Sequence, residues 1–406
     1  MADVRPFRAL RYDEANAGPL AALVAPPYDV IGDDERQALL GSSAHNACHL
    51  ILPEVPYEQV RALLDRWTGD GVLRRDEAPV LIAWTQHFAL ADGVARERRT
   101  LLGAVGLEPY EARVVRPHER THDGPREDRL RLTRQVRTNL SPVFGLYPDP
   151  QGAVWAAAGV DGPPYAELTD PDGTVHRFHV VDDPAAAEAV AAALADRWIL
   201  IADGHHRYET ALAYRDERRA ADGPGPERAY DRVLMGLTAL DDPGLVVLPT
   251  HRLLARWPGG PIDGLAARPV DGPDALVEAL AAAPGEAPAF GLLRPDGVDL
   301  VVGEPDPSAT PAQRLDVAVL EQRVLVPHLG ADQARLAHDG QLEYTKDAGE
   351  AAAAVTSGRI GAAVIMRPIP KPAVAAVADA GETMPQKSTY FFPKLLTGVA
   401  FNPLDD

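Results

Sequence analysis

Residues 199–212, Ile-Leu-Ile-Ala-Asp-Gly-His-His-Arg-Tyr-Glu-Thr-Ala-Leu, constrain the fold of this chain more than any other stretch. The first half is a short apolar run containing two isoleucines, which suits a buried strand. At Asp203-Gly204 the pattern changes to helical spacing through Tyr208, Leu212 and Arg215. A strand that passes through a tight glycine turn straight into a helix gathers unpaired backbone N–H groups and the positive end of the helix dipole at one point. Gly204 lets the backbone turn sharply and approach a ligand closely. His205, His206 and Arg207 stand in the first turn, where an anion would sit, and such a run is costly in a purely structural connection. The expectation is an anion-binding turn formed by Gly204, His205, His206 and Arg207, with Asp203 beside it.

A chain of 406 residues exceeds the usual size of one hydrophobic core, so two or three structural units are expected. Residues 4–12 read as an opening strand. The prolines at 26 and 27 fix φ and remove donors, making residues 25–31 a rigid loop that delivers Tyr28 and Asp29 to a definite place. Asp33 or Asp34 is expected to cap a helix through Leu40, closed by Gly41. Residues 46–52 read as a strand and 57–69 as an amphipathic helix. Two strands at 79–90 and 96–107 flank the turn Ala91-Asp92-Gly93. A basic helix follows at 128–139, a strand at 141–147, and further strands between 154 and 180. Asp183-Pro184 opens an alanine-rich helix that leads into the strand at 199. Short strands are expected at 233–240 and 245–248, a helix at 315–325, a buried strand at 361–366 and a helix at 371–381.

Composition narrows the function classes. With 46% hydrophobic and 24% charged residues the chain lies in the ordinary globular range. No apolar run approaches the roughly 18 to 20 residues that span a bilayer, and no apolar signal segment opens the chain. Cys48 is the only cysteine, so neither an internal disulfide nor a cysteine-based zinc cluster is expected, and the cytoplasm is the natural compartment. The net charge of −19 argues against a general DNA-binding surface, yet a small anion can still bind in a local basic pocket. Neither a P-loop nor a Gly-x-Gly-x-x-Gly fingerprint is present, so a nucleotide would need another cradle, and the Asp203-Gly204 turn suits it best.

Other chemistry-bearing residues lie far apart in sequence. His118, Glu119 and Arg120 share a dense polar segment with His122, Arg126, Asp128 and Arg129; the bland alternative is a loop salt bridge. Lys387, between Gln386 and Ser388, offers a flexible ammonium suited to a phosphate or carboxylate, while Phe391 and Phe392 anchor the C-terminal segment. His251-Arg252 is either a second anion clamp or a helix start capped by Thr250. Arginine, lysine, glycine-turn amides and a carboxylate together suit phosphoryl transfer. His205 and His206 are adjacent, so their rings diverge on a helix, and Pro117 with Gly124-Pro125 argues for a loop around His118 and His122; no dedicated metal site is expected. A Mg²⁺ ion carried by a nucleotide would leave almost no sequence signature.

Asp203-Gly204-His205-His206-Arg207 resembles the second signature box of the ParB/sulfiredoxin superfamily, in the form seen in free-serine kinases. Through Arg116-Pro117-His118-Glu119-Arg120-Thr121, Pro249-Thr250-His251-Arg252 and residues 384–394 the chain is identified as a member of an uncharacterised bacterial family, DUF1015. The resemblance implies an α/β (α+β) fold with a ParB/sulfiredoxin-like core over 1–240, interrupted by a β-rich insertion at about 79–180. A C-terminal α/β unit over 241–406 would contribute Lys387. It further implies a nucleotide-dependent phosphotransferase, using ATP or ADP with any Mg²⁺ carried by the nucleotide, that acts on a small hydroxylated metabolite, with L-serine the leading candidate. Glu119 would be general base, with His118, Arg120 and Asp203 also catalytic. Gly204, His205, His206 and Arg207 would hold phosphates; Lys387, Ser388, Tyr28, Asp29, His251 and Arg252 would contact substrate. The catalytic glutamate of the serine kinases has no unambiguous counterpart in the N-terminal segment. The alternatives are a non-catalytic nucleotide or metabolite switch, and a phosphatase or nucleotide hydrolase.

Overall fold

The computed structural model describes residues 2–119, 123–260 and 262–405; Arg120, Thr121 and His122 lie outside the described residues. The fold is mixed α/β, of the α+β class, and the chain divides into two compact units. The first holds the chain up to Pro117, the stretch that ends at Val246, and the segment from Pro393 onward. The second holds Val247–Phe392 together with His118 and Glu119.

Among the described residues, the first unit is built on a nine-stranded sheet. Its strands are β1 (Val4–Arg5), β2 (Leu81–Ala89), β3 (Ala95–Gly106), β4 (Val115–Arg116), β5 (Val143–Tyr147), β6 (Ala166–Thr169), β7 (Val175–Val181), β8 (Ile199–Asp203) and β9 (Arg232–Ala239). They run in the order β4-β8-β5-β9-β3-β2-β7-β6, with β1 paired to β3. Strands β2 to β7 therefore share one sheet with β8. Hairpin β2–β3 closes at Asp92-Gly93, as its turn residues predict, and Gly93 takes φ +70°.

The two faces of this sheet differ. Leu81, Ala83, Leu101, Val105, Ile199 and Met235 belong to one apolar core. Helices Ala153–Ala157, Pro184–Leu194 and His205–Asp222 cover it with Val154, Val190, Leu194 and Tyr208. Asp183 caps the second of these through the Ala185 N–H at 3.0 Å. Alternation along the strands puts Trp84, Gln86, Arg98, Thr100 and Thr238 on the other face, where all are fully buried. Polar bonds satisfy much of that face: Trp84 Nε1 donates to His176 Nδ1 at 3.1 Å, and the Thr100 and Thr238 hydroxyls pair at 2.7 Å.

Among the described residues, the second unit holds a six-stranded sheet that is antiparallel throughout. They are β10 (His251–Leu254), β11 (Leu265–Pro269), β12 (Ala289–Arg294), β13 (Gly297–Gly303), β14 (Leu342–Thr345) and β15 (Ala362–Met366), in the order β11-β13-β12-β15-β10-β14. Helices Pro273–Ala282 and Ala348–Thr356 bury Leu276, Leu280, Ala351 and Val355 against Leu253, Leu293 and Ile365.

Several local expectations are corrected. Residues 4–12 form two short strands, Val4–Arg5 and Leu10–Tyr12, in different sheets. The predicted strand at 46–52 is a helical turn, Cys48–Ile51, started by Asn46, whose Oδ1 accepts the Cys48 N–H at 2.8 Å. Helix Asp33–Ser42 starts after Gly32 with no side-chain cap and runs through Gly41. Ala153–Ala157 is helical where strands were expected. His251 and Arg252 open a strand, not a helix. The helix expected at 315–325 is α-helical over Asp316–Leu320 and becomes a π turn at Glu321–Leu325.

Candidate functional site

In the first unit β8 ends at Asp203, Gly204 turns at φ +90°, and an 18-residue helix begins at His205. Glycine is required here twice over. Its φ is left-handed, and a Cβ would stand 2.7 Å from Arg207 Nε and 2.8 Å from Cζ. The Arg207 side chain thus folds back over the turn it follows. Its Nη2 donates to Asp203 Oδ2 at 2.5 Å and its Nη1 to the Pro142 carbonyl. The Nε is buried and has no hydrogen-bond partner among the described residues, in a side chain only 9% exposed.

Asp203 holds a second cation. Lys394 Nζ lies 2.9 Å from its Oδ1, with that side chain 13% exposed. Burial by itself would raise the Asp203 carboxyl, but Lys394, Arg207 and His205 outweigh it and hold the group well below the ordinary carboxylate range. Asp203 is therefore ionised at neutral pH and fully engaged, a poor proton acceptor and a good positioner of two cations. For Arg207, burial pulls downward, and Asp203, Asp29 and Tyr28 more than restore it.

Tyr28 reaches the same region from the proline-fixed loop. Burial raises its phenol, Asp29 acts in the same direction, and Arg207 and Arg129 oppose them. The Arg129 guanidinium stacks over the Tyr28 ring at 4.6 Å. Tyr28, Arg129, Ser141, Arg207 and Thr210 line a cavity of about 60 Å³. At roughly 10–15 Å³ per water-sized probe, that space holds a few small atoms and not a whole nucleotide. His205 is buried and His206 half-buried in the first helical turn.

In the second unit His118 is 1% exposed, and its Nε2 lies 2.9 Å from Thr389 Oγ1 and 3.5 Å from Glu119 Oε1. The Glu119 carboxylate accepts the Ser388 N–H at 3.3 Å. Arg252 is buried: Nε donates to Gln333 Oε1 at 2.9 Å, Nη1 to the Thr250 carbonyl and Nη2 to the Lys387 carbonyl at 3.1 Å. Arg252 therefore braces the loop from below. Lys387 itself is exposed and left-handed at φ +55°, a conformation costly for a side-chain-bearing residue. His251 accepts the Met366 N–H on Nδ1 at 3.1 Å, and burial pulls its imidazole down to about 4, with Arg252 helping and Asp347 opposing.

The sequence-predicted residues thus fall into two groups. Tyr28, Asp29, Asp203, Gly204, His205, His206 and Arg207 belong to the first unit; His118, Glu119, His251, Arg252, Lys387 and Ser388 belong to the second. Sequence reasoning favoured Lys387 of the two lysines in its segment, whereas Lys394 is the one on Asp203. Arg98 and Gln86 were missed outright, since nothing in a strand sequence tells which polar residues face inward. A cavity of about 870 Å³ in the second unit, lined by Arg256, Trp257, Arg294 and Asp299 among others, contains none of the candidate residues. No cluster of three or more His, Cys, Asp or Glu fit to hold a metal occurs among the described residues, and none of their helices is long and apolar enough to cross a membrane.

The family model described as "Protein of unknown function (DUF1015)" matches residues 4–318. No curated protein matches the chain. Among solved structures, a free serine kinase in complex with AMP is similar at TM-score 0.38 and 15% identity, covering 72% of this chain and 88% of that one. A conserved hypothetical protein from Pyrococcus furiosus is similar at TM-score 0.36 and 16% identity, covering 70% and 89%. SbnI with a C-terminal truncation, from Staphylococcus aureus, gives TM-score 0.32 and 12% identity over 75% and 87%.

Proposed function

We propose that this chain, which belongs to the DUF1015 family of proteins of unknown function, is a nucleotide-dependent phosphotransferase acting on a small hydroxylated metabolite, L-serine first among candidates. The observation that carries the reading is the Asp203–Arg207 turn. An 18-residue helix starts there on a glycine that offers no side-chain cap, and a buried arginine nitrogen beside it has no partner among the described residues. The helix start contributes roughly half a positive charge, and the turn amides supply donors. Arg207 and Lys394 add two full charges held in place by Asp203. These groups suit the phosphates of ATP or ADP, and the resemblance of this box to the free-serine-kinase form supports the same ligand.

Phosphoryl transfer asks little covalent chemistry of a protein; it needs charge neutralisation and alignment. One P–O bond to the donor breaks, and its electron pair leaves with the shortened nucleotide. One P–O bond forms to the acceptor oxygen, whose proton passes to a carboxylate and then to solvent. Glu119 is the proposed base: its carboxylate accepts the Ser388 backbone N–H and stands beside the His118 imidazole. Mg²⁺, if used, would arrive on the nucleotide.

The test incubates purified protein with ATP or ADP, with and without L-serine and other hydroxy-acids, and follows phosphorylated product by mass spectrometry. Donor consumption that depends on the acceptor is expected, and Glu119→Gln should lower turnover while leaving nucleotide affinity nearly unchanged. Tight nucleotide binding with no product from any hydroxy-acid would replace the enzyme by a nucleotide switch. Consumption without an acceptor would make it a hydrolase.

A further inference from the structure

We propose that Arg98 forms the floor of a small oxyanion site in the first unit, next to Gln86 and the Lys394 carbonyl that Gln86 bonds, and that this site takes a carboxylate or phosphate group of a ligand. Arg98 lies on β3 and is 0% exposed. Its Nη2 donates to Gln86 Oε1, but its Nε and Nη1 are buried with no hydrogen-bond partner among the described residues. The guanidinium lies 4.7 Å from the Phe144 ring centroid, and no carboxylate among the described residues forms an ion-pair contact with it. Burial pulls Arg98 down to about 9, with Asp242 acting the other way. A folded core gains nothing from such a charge, because an apolar side chain of similar volume avoids the desolvation cost. A ligand oxyanion gives the charge a purpose.

The surroundings tie Arg98 to the turn at Asp203. Phe144 is the cross-strand neighbour of Asp203. Gln86, which accepts from Arg98, donates its Nε2 to the Lys394 carbonyl at 3.1 Å, and Lys394 Nζ reaches Asp203. The strap continues over Gly236, where a Cβ would stand 2.5 Å from Leu395 Cδ1. Arg98 thus lies three strands from the Asp203 turn, linked to it through the Phe144 ring and through Gln86 and Lys394, beside the neutral Thr100 and Thr238 hydroxyls. One cation with neutral neighbours suits a singly charged carboxylate or one phosphate edge. This site uses the same turn as the proposed function but does not depend on transfer chemistry.

Thermal unfolding of the full chain, without nucleotide, tests the proposal with inorganic phosphate in one arm and glycerate in the other. Wild type should gain unfolding temperature in at least one arm, and that arm identifies the source of the oxyanion. Arg98→Met should unfold at or above the wild-type temperature without anion, yet need at least tenfold more anion for the same rise. Arg98→Lys, which keeps the charge but loses the guanidinium N–H groups, carries the test if the methionine variant does not fold: it should also lose the rise. A lowered unfolding temperature with an undiminished anion response would make Arg98 structural and overturn the proposal, as would a wild type that responds to neither anion at tens of millimolar. Because no nucleotide is present, failure of the phosphotransferase reading leaves this readout untouched.

Discussion

Arg207→Ala removes a guanidinium that donates to Asp203 and to the Pro142 carbonyl while keeping one nitrogen unengaged. If that nitrogen meets a phosphate, nucleotide affinity measured by calorimetry should weaken by about 1.5–3 kcal/mol, the worth of a charge-assisted contact. Unchanged affinity in a folded variant would take Arg207 out of the site. Gly204→Ala places a Cβ against the same guanidinium in a left-handed turn. The strain of that turn should cost about 1–2 kcal/mol by urea denaturation, and nucleotide affinity should fall with it. At His251 the folded pKa is depressed to about 4 from an ordinary value near 6.5, so the neutral ring is the folded form. Its contribution is fully present above about pH 6.5 and is lost as pH falls towards 4, by at most about 3 kcal/mol. His251→Gln keeps an acceptor for Met366, so its stability deficit against wild type should shrink between pH 7 and pH 4; a constant deficit would show that His251 takes no part in the acid response. At this scale the residue types were legible and their partners were not. Nothing in Arg252 itself says that it holds the Lys387 carbonyl, or in Lys394 that it pairs with Asp203.

Elements with a strong internal signal followed their sequence. The helix Tyr57–Gly69 buries Val60, Leu64 and Trp67 at helical spacing, and the β2–β3 hairpin turns at its Asp-Gly. Short apolar runs were ambiguous, because a strand and a helical turn of equal length bury the same residues. Residues 48–51 went to helix because Asn46 bonds the Cys48 N–H and also donates to the Ala22 and Val24 carbonyls, contacts with another part of the chain. Packing against the inner strands of the first sheet is tight. At Gly145 on β5 a Cβ would meet Met235 Sδ at 2.7 Å, Ile199 Cγ2 at 2.8 Å and Leu237 Cδ2 at 2.9 Å. Gly145→Ala should therefore destabilise by about 1–3 kcal/mol through overpacking, read as a shift in denaturation midpoint at unchanged slope. A neutral result would mean that neighbouring strands give way more easily than their packing suggests.

For the molecule as a whole, a charge of −19 confines any anion site to local basic clusters such as Arg207 with Lys394. Duplex DNA should accordingly show no retarded complex in a gel-shift assay at physiological salt, and a salt-sensitive complex there would point to a basic surface instead. The two units each carry a separate sheet and core, and the first takes the segment from Pro393 onward. That segment bonds along the first unit: Thr397 pairs with Ala25, Phe401 with Leu10, and Asn402–Pro403 with Thr138–Asn139. By itself the sequence determined the α/β class, the strand–glycine–helix at 199–212 and the kinds of side chain available for binding, because those follow from local periodicity and backbone preference. Only the tertiary structure decided that Lys394 rather than Lys387 neutralises Asp203, that Arg98 lies buried against Phe144, and that Arg252 and His251 are braced inside the second unit. Those outcomes depend on which strands become neighbours and which face each strand turns inward, and long-range pairing leaves no local mark on a chain.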